Sequence, residues 1–459
     1  MGSGRFYIET WGCQMNDRDT QRMAGQLMQQ GILPTDDPGE ADLILLNSCS
    51  VREKASHKAY SRLGEYRQLK ETRPDLLIGF CGCVAQQEGE EALNRLDGLD
   101  FVLGPARVGE LSSIVRRARR GEAVVATGFP EDRDYELDSI SREGSHKGMV
   151  TLIEGCDKKC TFCIVPYTRG PERCRPLEEV LEEVRHLVGM GFLEIELLGQ
   201  TVNHWREPGG ELDFADLLEA VASVPGVRRL RFLTSYPRDF TPRMVEQVGK
   251  HSNICPYLHL PVQSGSNRIL KLMGRGYRIE EYEQLVVDLR GARPDLALST
   301  DLIVGFPGES EDDFRATLEL VERLRYVQIY AFQYSPRPGT PAPRLPVDPP
   351  SEEVAGRRLQ ELFTLQKEIQ RELNRDLVGE EMEVLVTGSG KRPGSLTGRT
   401  RCHRIVHFPA GDPPISPGEL TTVVIEEGLP HSLLGRRSDG GGEAREPSSG
   451  HPRLAVVGP

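Results

Sequence analysis

The sequence predicts an α/β protein built from three folded parts. Residues 5–127 alternate short apolar strands with amphipathic helices, which is typical of an open parallel sheet. Residues 148–377 repeat a strand-helix unit six times, which favours a partial TIM-type (β/α)6 barrel. Residues 378–436 hold short alternating strands broken by glycines, which fits a small antiparallel β-barrel. A polar linker at 128–147 joins the first two parts, and a Gly-, Ser- and Pro-rich tail at 437–459 is predicted to be disordered.

The bulk composition is that of a globular protein in a reducing compartment. The net charge of −12 argues against a uniform coating of nucleic acid but leaves room for a local basic face. No apolar run reaches the length of a membrane span, and the first residues lack the pattern of a signal peptide or a myristoylation site. We therefore expect a cytoplasmic protein whose ten cysteines serve metal binding or catalysis rather than disulfides.

Three predicted strands of the N-terminal part each run into a cysteine. The strands are 6–10, 41–46 and 76–80, and the cysteines that follow them are Cys13, Cys49 and the pair Cys81 and Cys83. Because the carboxyl ends of parallel strands meet at one edge of a sheet, one thiol from each strand could meet there. We interpret these residues as a three-cysteine metal site. The alternative is a set of unrelated buried thiols, since cysteine is among the most buried residue types.

The geometry of the third strand distinguishes Cys81 from Cys83. Cys81 continues the extended run and is expected to be buried in the sheet. Cys83 lies past Gly82, where the chain can turn over the edge towards the other thiols. The strand geometry therefore favours Cys83 over Cys81 at the edge of the sheet.

In the central part, polar residues follow the predicted strands. The strands are 149–153, 193–198, 229–234, 256–260, 297–304 and 326–332, and the predicted helices include 177–188, 214–224 and 351–377. The residues after the strands are Gln200, Asn203, Ser235, Gln263 and Ser264, on the edge where a TIM-type barrel has its active site. Each is either a ligand-binding residue or a cap of its own loop. After the fifth strand, Gly305 could let the backbone approach a ligand closely.

The strongest motif follows the first barrel strand, where Cys156, Cys160 and Cys163 stand at C-x3-C-x2-C. Gaps this short let three thiolates bind one inorganic centre from a single loop. Tetrahedral zinc normally takes a fourth protein ligand, and Cys174 is close enough in sequence to keep that alternative open. Three cysteines instead leave one iron of a [4Fe–4S] cluster free to bind a substrate or cofactor. This spacing, with Phe162 before the last cysteine, resembles the radical S-adenosylmethionine (SAM) superfamily.

The C-terminal part has the clearest charge asymmetry in the chain. Residues 388–408 contain no acidic residue, and their basic residues are Lys391, Arg392, Arg399, Arg401 and Arg404. His403, His407 and Phe408 are interleaved with them. Guanidinium groups beside aromatic rings suit phosphate contacts and base stacking in single-stranded RNA. We interpret the run as an RNA-binding face; the alternative is an ordinary solvated barrel surface.

Over about residues 5–436 the chain resembles the MiaB-type tRNA methylthiotransferases. That family combines an N-terminal methylthiotransferase domain, a radical-SAM core and a C-terminal TRAM domain. The matching stretches are 11–16, 47–55, 82–86, 154–170, 258–266 and 398–400. The strings Cys-Gln-Met-Asn at Cys13 and Cys-Ser-Val-Arg-Glu-Lys at Cys49 point to this subgroup. The chain departs from the family pattern at Cys81, at Cys174 and at the Cys402–His403 pair.

The resemblance implies insertion of a methylthio group at C2 of N6-isopentenyladenosine (N6-dimethylallyladenosine), beside the anticodon of tRNA. It also implies two [4Fe–4S] clusters, two molecules of SAM and an electron donor such as flavodoxin or ferredoxin, and we expect a monomer. The cluster that cleaves SAM would be held by Cys156, Cys160 and Cys163, and the sulfur-carrying cluster by Cys13, Cys49 and Cys83. The residues expected to contact SAM are Phe162, Gln200, Ser235, Gln263, Ile303 and Gly305.

The sequence leaves two other functions open. An enzyme of the same architecture could modify a ribosomal protein, or threonylcarbamoyl-adenosine in tRNA. A non-enzymatic iron–sulfur RNA-binding sensor would instead form no deoxyadenosine when the reduced protein meets SAM.

Overall fold

The computed structural model describes residues 4–50, 53–130 and 147–438. Most of the predicted linker at 128–147 and of the predicted tail at 437–459 lies outside the described residues, as do Val51 and Arg52 of the second cysteine motif. Over the ranges that are described, no helix is both long and apolar enough to cross a membrane.

The N-terminal part is a six-stranded sheet in which every neighbouring pair is parallel. Its strands are β1 (Arg5–Trp11), β2 (Leu33–Pro34), β3 (Leu43–Ser48), β4 (Leu77–Gly82), β5 (Phe101–Leu103) and β6 (Val124–Ala126). They lie in the order β2-β1-β3-β4-β5-β6. The predicted strands at 6–10, 41–46 and 76–80 correspond to β1, β3 and β4, which confirms the open parallel sheet.

Helices cover both faces of this sheet. They are α1 (Gln14–Gln29), α2 (Glu53–Thr72), α3 (Cys83–Glu88), α4 (Glu90–Arg95) and α5 (Leu111–Ala118). Helices α1 and α5 bury side chains such as Leu27 and Ile114 against one face, and α2 and α3 bury Leu63 and Val84 against the other. Every residue of β3 and β4 is consequently buried, as expected for central strands of a parallel sheet.

The central part is a partial barrel of six parallel strands, as predicted, with a small hairpin inserted after the first. Its strands are β7 (Gly148–Thr151), the hairpin β8 (Ile153–Glu154) and β9 (Arg173–Cys174), then β10 (Glu194–Leu198), β11 (Arg229–Phe232), β12 (Tyr257–His259), β13 (Ala297–Val304) and β14 (Gln328–Gln333). Its helices are α6 (Val165–Arg169), α7 (Leu177–Gly189), α8 (Phe214–Ala222), α9 (Pro242–Lys250), α10 (Asn267–Leu272), α11 (Ile279–Ala292), α12 (Glu311–Leu324) and α13 (Glu352–Arg375). The predicted helices at 177–188, 214–224 and 351–377 correspond to α7, α8 and α13.

The barrel strands form two halves that are joined in the middle. One half has the order β11-β10-β7 and the other β12-β13-β14, and a parallel bridge from Leu230 to Ile254 connects them. The edges β7 and β14 are left apart, so the barrel is open on that side. The main hydrophobic core lies between the strands and the outer helices, with Trp205 and Phe214 among its largest members.

The C-terminal part is a closed five-stranded barrel with the order β15-β16-β17-β19-β18. The strands are β15 (Glu381–Ser389), β16 (Ser395–Thr400), β17 (Ile405–Pro409), β18 (Leu420–Gly428) and β19 (Leu433–Arg437). Four neighbouring pairs are antiparallel, and β17 and β19 are parallel. A closed ring with an odd number of strands cannot alternate in direction all the way round, so one parallel pair is unavoidable. The predicted small barrel is present, with this one exception to its antiparallel pairing.

The C-terminal barrel is fastened to the central strand β11. Arg229 donates hydrogen bonds to the carbonyl oxygens of Arg399 at 3.0 Å and Glu383 at 2.9 Å. Arg231 donates to those of Thr400 and Arg401, both at 2.9 Å. The end of β16 and the turn after it therefore lie against the central barrel.

Candidate active site

Three N-terminal cysteines lie together at the carboxyl edge of the sheet. Cys13 directly precedes α1, Cys49 follows β3 and Cys83 begins α3, and the strands that lead to them are neighbours in the order β1-β3-β4. A hydrogen bond with Cys49 lowers the pKa of the Cys13 thiol to about 6, and the charge of Arg169 contributes. Burial raises the pKa of the Cys83 thiol, the same guanidinium acts to lower it, and the charge of Cys13 raises it further, so Cys83 lies near both groups. The structure thus brings these three thiols together, and their role as ligands stays a prediction.

Cys81 and Cys83 have different surroundings. Cys81 is 1% exposed within β4, where it belongs to one apolar face of the sheet, and burial raises the pKa of its thiol above the ordinary range. Gly82 has a φ of +92°, and a Cβ there would collide with Asn47 and Ser48. Glycine is therefore required for the turn that carries Cys83 over the sheet edge. This arrangement matches the expectation from the strand geometry.

The second set of thiols lies on the loop between β8 and α6. Burial raises the pKa of Cys163 to about 12, and the neighbouring Cys160 and Cys156 thiols add to the increase. Arg275 donates a hydrogen bond from Nη1 to Cys160 Sγ at 3.5 Å, and Thr201 Oγ1 lies 3.5 Å from Cys156 Sγ. The loop therefore gathers three thiols beside a permanent cation.

Each set of thiols suits an anionic iron–sulfur cluster. Within residues 4–50, 53–130 and 147–438, no three His, Cys, Asp or Glu side chains are close enough to share a single metal ion. A [4Fe–4S] cluster binds each cysteine through a different iron, so three thiolates leave one iron without a protein ligand. Arg169 beside one set and Arg275 beside the other supply positive charge for a thiolate-bound cluster. Cys174, the fourth zinc ligand considered from the sequence, lies on β9 opposite Ile153.

Two of the residues expected to contact SAM have buried polar atoms that need a partner. Gln200 follows β10 and Ser235 lies just beyond β11, so both are on the edge that carries the second set of thiols. Among the described residues, neither Gln200 Oε1 nor Ser235 Oγ has a hydrogen-bond partner, although both atoms are buried. Buried polar groups normally have partners. These two atoms fit a polar ligand bound at this edge.

Three further predicted SAM contacts lie along β13. Phe162 packs edge-on against Phe306, with ring centroids 6.3 Å apart, and belongs to the same apolar cluster as Ile303. Gln263 has a φ of +77° and hydrogen-bonds through its backbone to Asp301 and Ile303, both at 2.9 Å. These residues therefore form a continuous wall beside the thiol loop.

Gly305, the last predicted SAM contact, has a structural reason to be glycine. Its φ is +74°, and a Cβ there would lie 2.7 Å from the Cβ of Ala355 in α13. Its backbone N–H donates to Glu309 Oε2 at 2.7 Å. The close approach that the sequence indicates is thus made by α13.

Two of the polar residues that follow strands act as loop caps. Asn203 donates to the carbonyl of Tyr236 at 2.9 Å and accepts from its N–H at 2.8 Å, so it holds two loops together. Ser264 Oγ accepts from the N–H of Ser266 at 3.2 Å within a turn. For these two positions the structure favours the cap over the ligand.

Sequence reasoning missed three buried ion pairs that connect α1 to the central part. The pairs are Arg18 with Glu183, Asp19 with Arg169 at 2.7 Å, and Arg22 with Glu154 at 3.4 Å. No side chain among these six is more than 10% exposed. In the two pairs that are hydrogen-bonded, Arg18–Glu183 and Arg22–Glu154, the two residues are at least 132 positions apart in the chain. No local motif could therefore reveal them. Together they attach α1, which follows Cys13 directly, to α7 and to the two segments that flank the second thiol set.

The structure divides the predicted RNA-binding residues into three groups. Lys391 and Arg392 are exposed in the turn between β15 and β16. Arg401 donates to the carbonyl of Ser252, and Arg404 donates to Asn374 Oδ1, so both hold the C-terminal barrel against the central part. Arg399 donates to the carbonyl of His403 at 3.2 Å and lines a cavity of about 80 Å³ at the junction of all three parts.

Comparison with known families gives each part of the chain a counterpart. Residues 5–104 match the family described as uncharacterized protein family UPF0004, residues 150–321 match the radical SAM superfamily, and residues 375–436 match the TRAM domain. Together with the two thiol sets, these matches define a radical SAM enzyme with an N-terminal thiol-bearing domain and an appended TRAM domain.

Two relatives identify the family. The tRNA-2-methylthio-N(6)-dimethylallyladenosine synthase of Saccharophagus degradans is 44% identical over 94% of this chain and 96% of the relative. The enzyme of the same name from Burkholderia ambifaria is 45% identical over the same shares. The chain therefore belongs to the tRNA-2-methylthio-N(6)-dimethylallyladenosine synthase family.

Solved structures show the same fold at low sequence identity. The radical SAM methyltransferase TsrM from Kitasatospora setae, solved with cobalamin and a [4Fe–4S] cluster, has a TM-score of 0.54 and 14% identity over 86% of this chain and 77% of its own. The cobalamin-dependent SAM radical enzyme OxsB has a TM-score of 0.50 and 14% identity over 79% of this chain and 56% of its own. These similarities support the assigned α/β architecture.

Proposed function

We propose that this protein is the tRNA methylthiotransferase that inserts a methylthio group at C2 of N6-isopentenyladenosine beside the anticodon. Its identity to the named synthases over nearly the whole chain supports the substrate. The structural observation that carries the proposal is the clamp between the two thiol sets. Helix α1 begins directly after Cys13, and its buried ion pairs attach it to the segments on either side of Cys156, Cys160 and Cys163.

The reaction explains why two cluster sites are needed. The C2–H bond of an adenine is not acidic, so no side-chain base could remove this hydrogen as a proton at neutral pH. When bound, one cluster with SAM supplies a 5′-deoxyadenosyl radical and the other carries the sulfur, with a second SAM as methyl donor. The chain must therefore hold both centres close to one carbon atom of the substrate.

The residues of this chain have distinct tasks in that scheme. Cys156, Cys160 and Cys163 hold the SAM-cleaving cluster, and the unpartnered buried oxygens of Gln200 and Ser235 receive the polar groups of SAM. The wall containing Phe162, Gln263 and Ile303, ending at Gly305, covers the nucleoside of SAM. Cys13, Cys49 and Cys83 hold the sulfur-carrying cluster.

A small apolar cluster packs the start of α1 against the central barrel. Met15, two residues after Cys13, packs with Met149, Leu198 and Leu233 of that barrel. This contact adds buried apolar surface to the ion pairs that join the two thiol-bearing parts.

The tRNA substrate is bound in part by the C-terminal barrel. We assign phosphate contacts to Lys391 and Arg392, which are exposed, and to Arg399 at its cavity. The half-buried Arg401 and Arg404 support this face by fixing the barrel in place. In our proposal the electron comes from a low-potential carrier such as flavodoxin or ferredoxin, and the protein acts as a cytoplasmic monomer.

The proposal is tested with the anaerobically reconstituted holoenzyme, SAM, a reductant and tRNA that carries N6-isopentenyladenosine. Mass spectrometry of the digested nucleosides should show the 2-methylthio product. The matched control is the Cys156/Cys160/Cys163→Ala variant, which should give no product. Unmodified tRNA together with a methylthiolated ribosomal protein, when both are offered, would overturn the assignment.

A further inference from the structure

Arg169 reaches from the central part to the N-terminal thiols. It is the last residue of α6, the short helix that starts two residues after Cys163. Its side chain is 5% exposed, and Nη2 lies 2.7 Å from Asp19 Oδ2 in an ion pair whose alignment is not that of a hydrogen bond. Asp19 therefore anchors one end of the guanidinium, which carries several further N–H donors.

The guanidinium lies against the three-thiol site of the other domain. Helix α6, which ends at Arg169, packs against α3, which begins with Cys83, and the charge of the guanidinium acts on both Cys83 and Cys13. Asp19 acts on Cys83 too, with the opposite sign. Arg169 and Asp19 thus place opposite charges beside the N-terminal thiols, and the cation comes from the radical SAM core.

The same segment also touches the SAM-cleaving loop. Gly170, directly after Arg169, accepts a hydrogen bond from the N–H of Cys156 at 3.1 Å. Two consecutive residues therefore connect the sites, with the backbone of Gly170 at Cys156 and the side chain of Arg169 directed to the N-terminal thiols.

A buried guanidinium has a specific effect on a cluster. A thiolate-bound cluster is anionic and becomes more so when it takes up an electron or sulfide. Hydrogen bonds to the sulfurs and nearby positive charge favour the more negative state, and this effect is strong in a buried, low-dielectric site. Arginine keeps its charge at every accessible pH and offers several donors in a fixed plane, which lysine does not.

We propose that Arg169 is a positioning residue of the N-terminal cluster. Its guanidinium fixes the Cys83 thiolate in place. It also offsets the negative charge that the cluster gains on reduction or on loading with sulfur. This inference rests on the proposed function, because it needs a cluster on Cys13, Cys49 and Cys83. The radical SAM core thereby sets the redox behaviour of the centre in the neighbouring domain.

The test isolates the N-terminal cluster in the Cys156/Cys160/Cys163→Ala background and measures its midpoint potential by an EPR-monitored redox titration. Arg169→Met should lower the midpoint potential. Removal of the positive charge takes less stabilisation from the oxidised cluster than from the more negative reduced cluster. Arg169→Lys should restore part of the shift. Asp19→Asn should move the potential in the opposite direction, since a negative charge is removed. Arg173→Met is the matched control on exposed strand β9 and should leave the potential unchanged.

The sign of the potential shift and its partial rescue by lysine distinguish this role of Arg169 from a purely structural one. An unchanged potential in Arg169→Met at full iron content would overturn the proposal, as would shifts of the same sign in Arg169→Met and Asp19→Asn. If Arg169→Met binds no iron, recovery of iron in Arg169→Lys supports the proposal, and iron loss in both variants overturns it. A background protein that itself binds no N-terminal iron would instead contradict the cluster assignment in the proposed function.

Discussion

Arg229, the first residue of β11, donates a hydrogen bond to the carbonyl oxygen of Arg399 in β16 at 3.0 Å. The donor is fully buried and also pairs with Glu194 and Glu383. One side chain therefore links the central barrel to the C-terminal barrel.

Arg229→Met should destabilise the protein by about 3–5 kcal/mol, because it leaves buried carboxylates and carbonyls without their partner. Chemical denaturation of the apoprotein would measure the free energy of unfolding. The adjacent exposed Arg228→Met is the control, with an expected change within about 0.5 kcal/mol. Equal stability of the two variants would show that this seam contributes little.

Substitutions in the two thiol sets should abolish different steps of the reaction. Cys156/Cys160/Cys163→Ala should abolish deoxyadenosine formation while the N-terminal iron remains. Cys13→Ala should spare SAM cleavage but stop thiolation. Iron analysis and product analysis by mass spectrometry check both outcomes, and a Cys13 variant that still makes the methylthio product would contradict the two-cluster scheme.

Cys81 and Cys83 provide a matched pair within three residues. Cys83→Ala should lose the N-terminal cluster, because this residue faces the other thiols. Cys81→Ala should keep full iron content, with a modest loss of stability from the small cavity in the sheet. Mössbauer spectra and iron content of the two variants decide between them. Loss of iron only on removing Cys81 would reverse the assignment.

The exposed basic residues should govern the salt dependence of tRNA binding. Lys391→Ala with Arg392→Ala should weaken binding and flatten the plot of log affinity against log salt concentration, since fewer counterions are released. SAM cleavage without tRNA should be unaffected. Arg401→Met with Arg404→Met should mainly lower stability, because these side chains bind Ser252 and Asn374. An unchanged salt slope in the first variant would mean that this turn does not contact tRNA.

His204 should give the stability a distinct pH dependence. Its hydrogen bond with Glu172, with Nδ1 and Oε1 2.6 Å apart, raises its pKa in the folded protein. The folded state therefore binds the proton more tightly than the unfolded state, so the stabilisation is complete below about pH 6.5 and is lost as the pH rises through the raised pKa. Denaturation of wild type and His204→Gln at several pH values measures it. The difference between the two proteins should shrink at high pH; a constant difference would contradict the mechanism.

The local parts of the fold could be predicted from the sequence. Runs such as Leu43 to Leu46 are apolar throughout, so a buried parallel strand is the natural interpretation. The cysteines follow these strands at short spacing, and Gly82 explains which of two thiols turns over the edge. These features depend only on neighbours in sequence.

The remaining features depend on which distant segments meet. Glu183 is 165 residues from Arg18, and nothing near either residue indicates the pair. Arg401 has the same local sequence signal as the exposed Arg392, yet docking against β11 and its neighbours turns it into a structural residue. From the sequence, Gly305 indicates a ligand close to the backbone. Only the position of α13 shows which group approaches it.

The ion pairs along α1 have a mechanical consequence. Separating the N-terminal sheet from the central barrel would break three buried pairs at once, together with the apolar contacts of Met15. The two thiol sets are therefore held in one arrangement, and in our proposal the RNA is the partner that changes shape. The anticodon loop has to unstack its adenosine and place the base between the two thiol sets. Substrate selection then depends on how readily the RNA distorts rather than on motion of the protein.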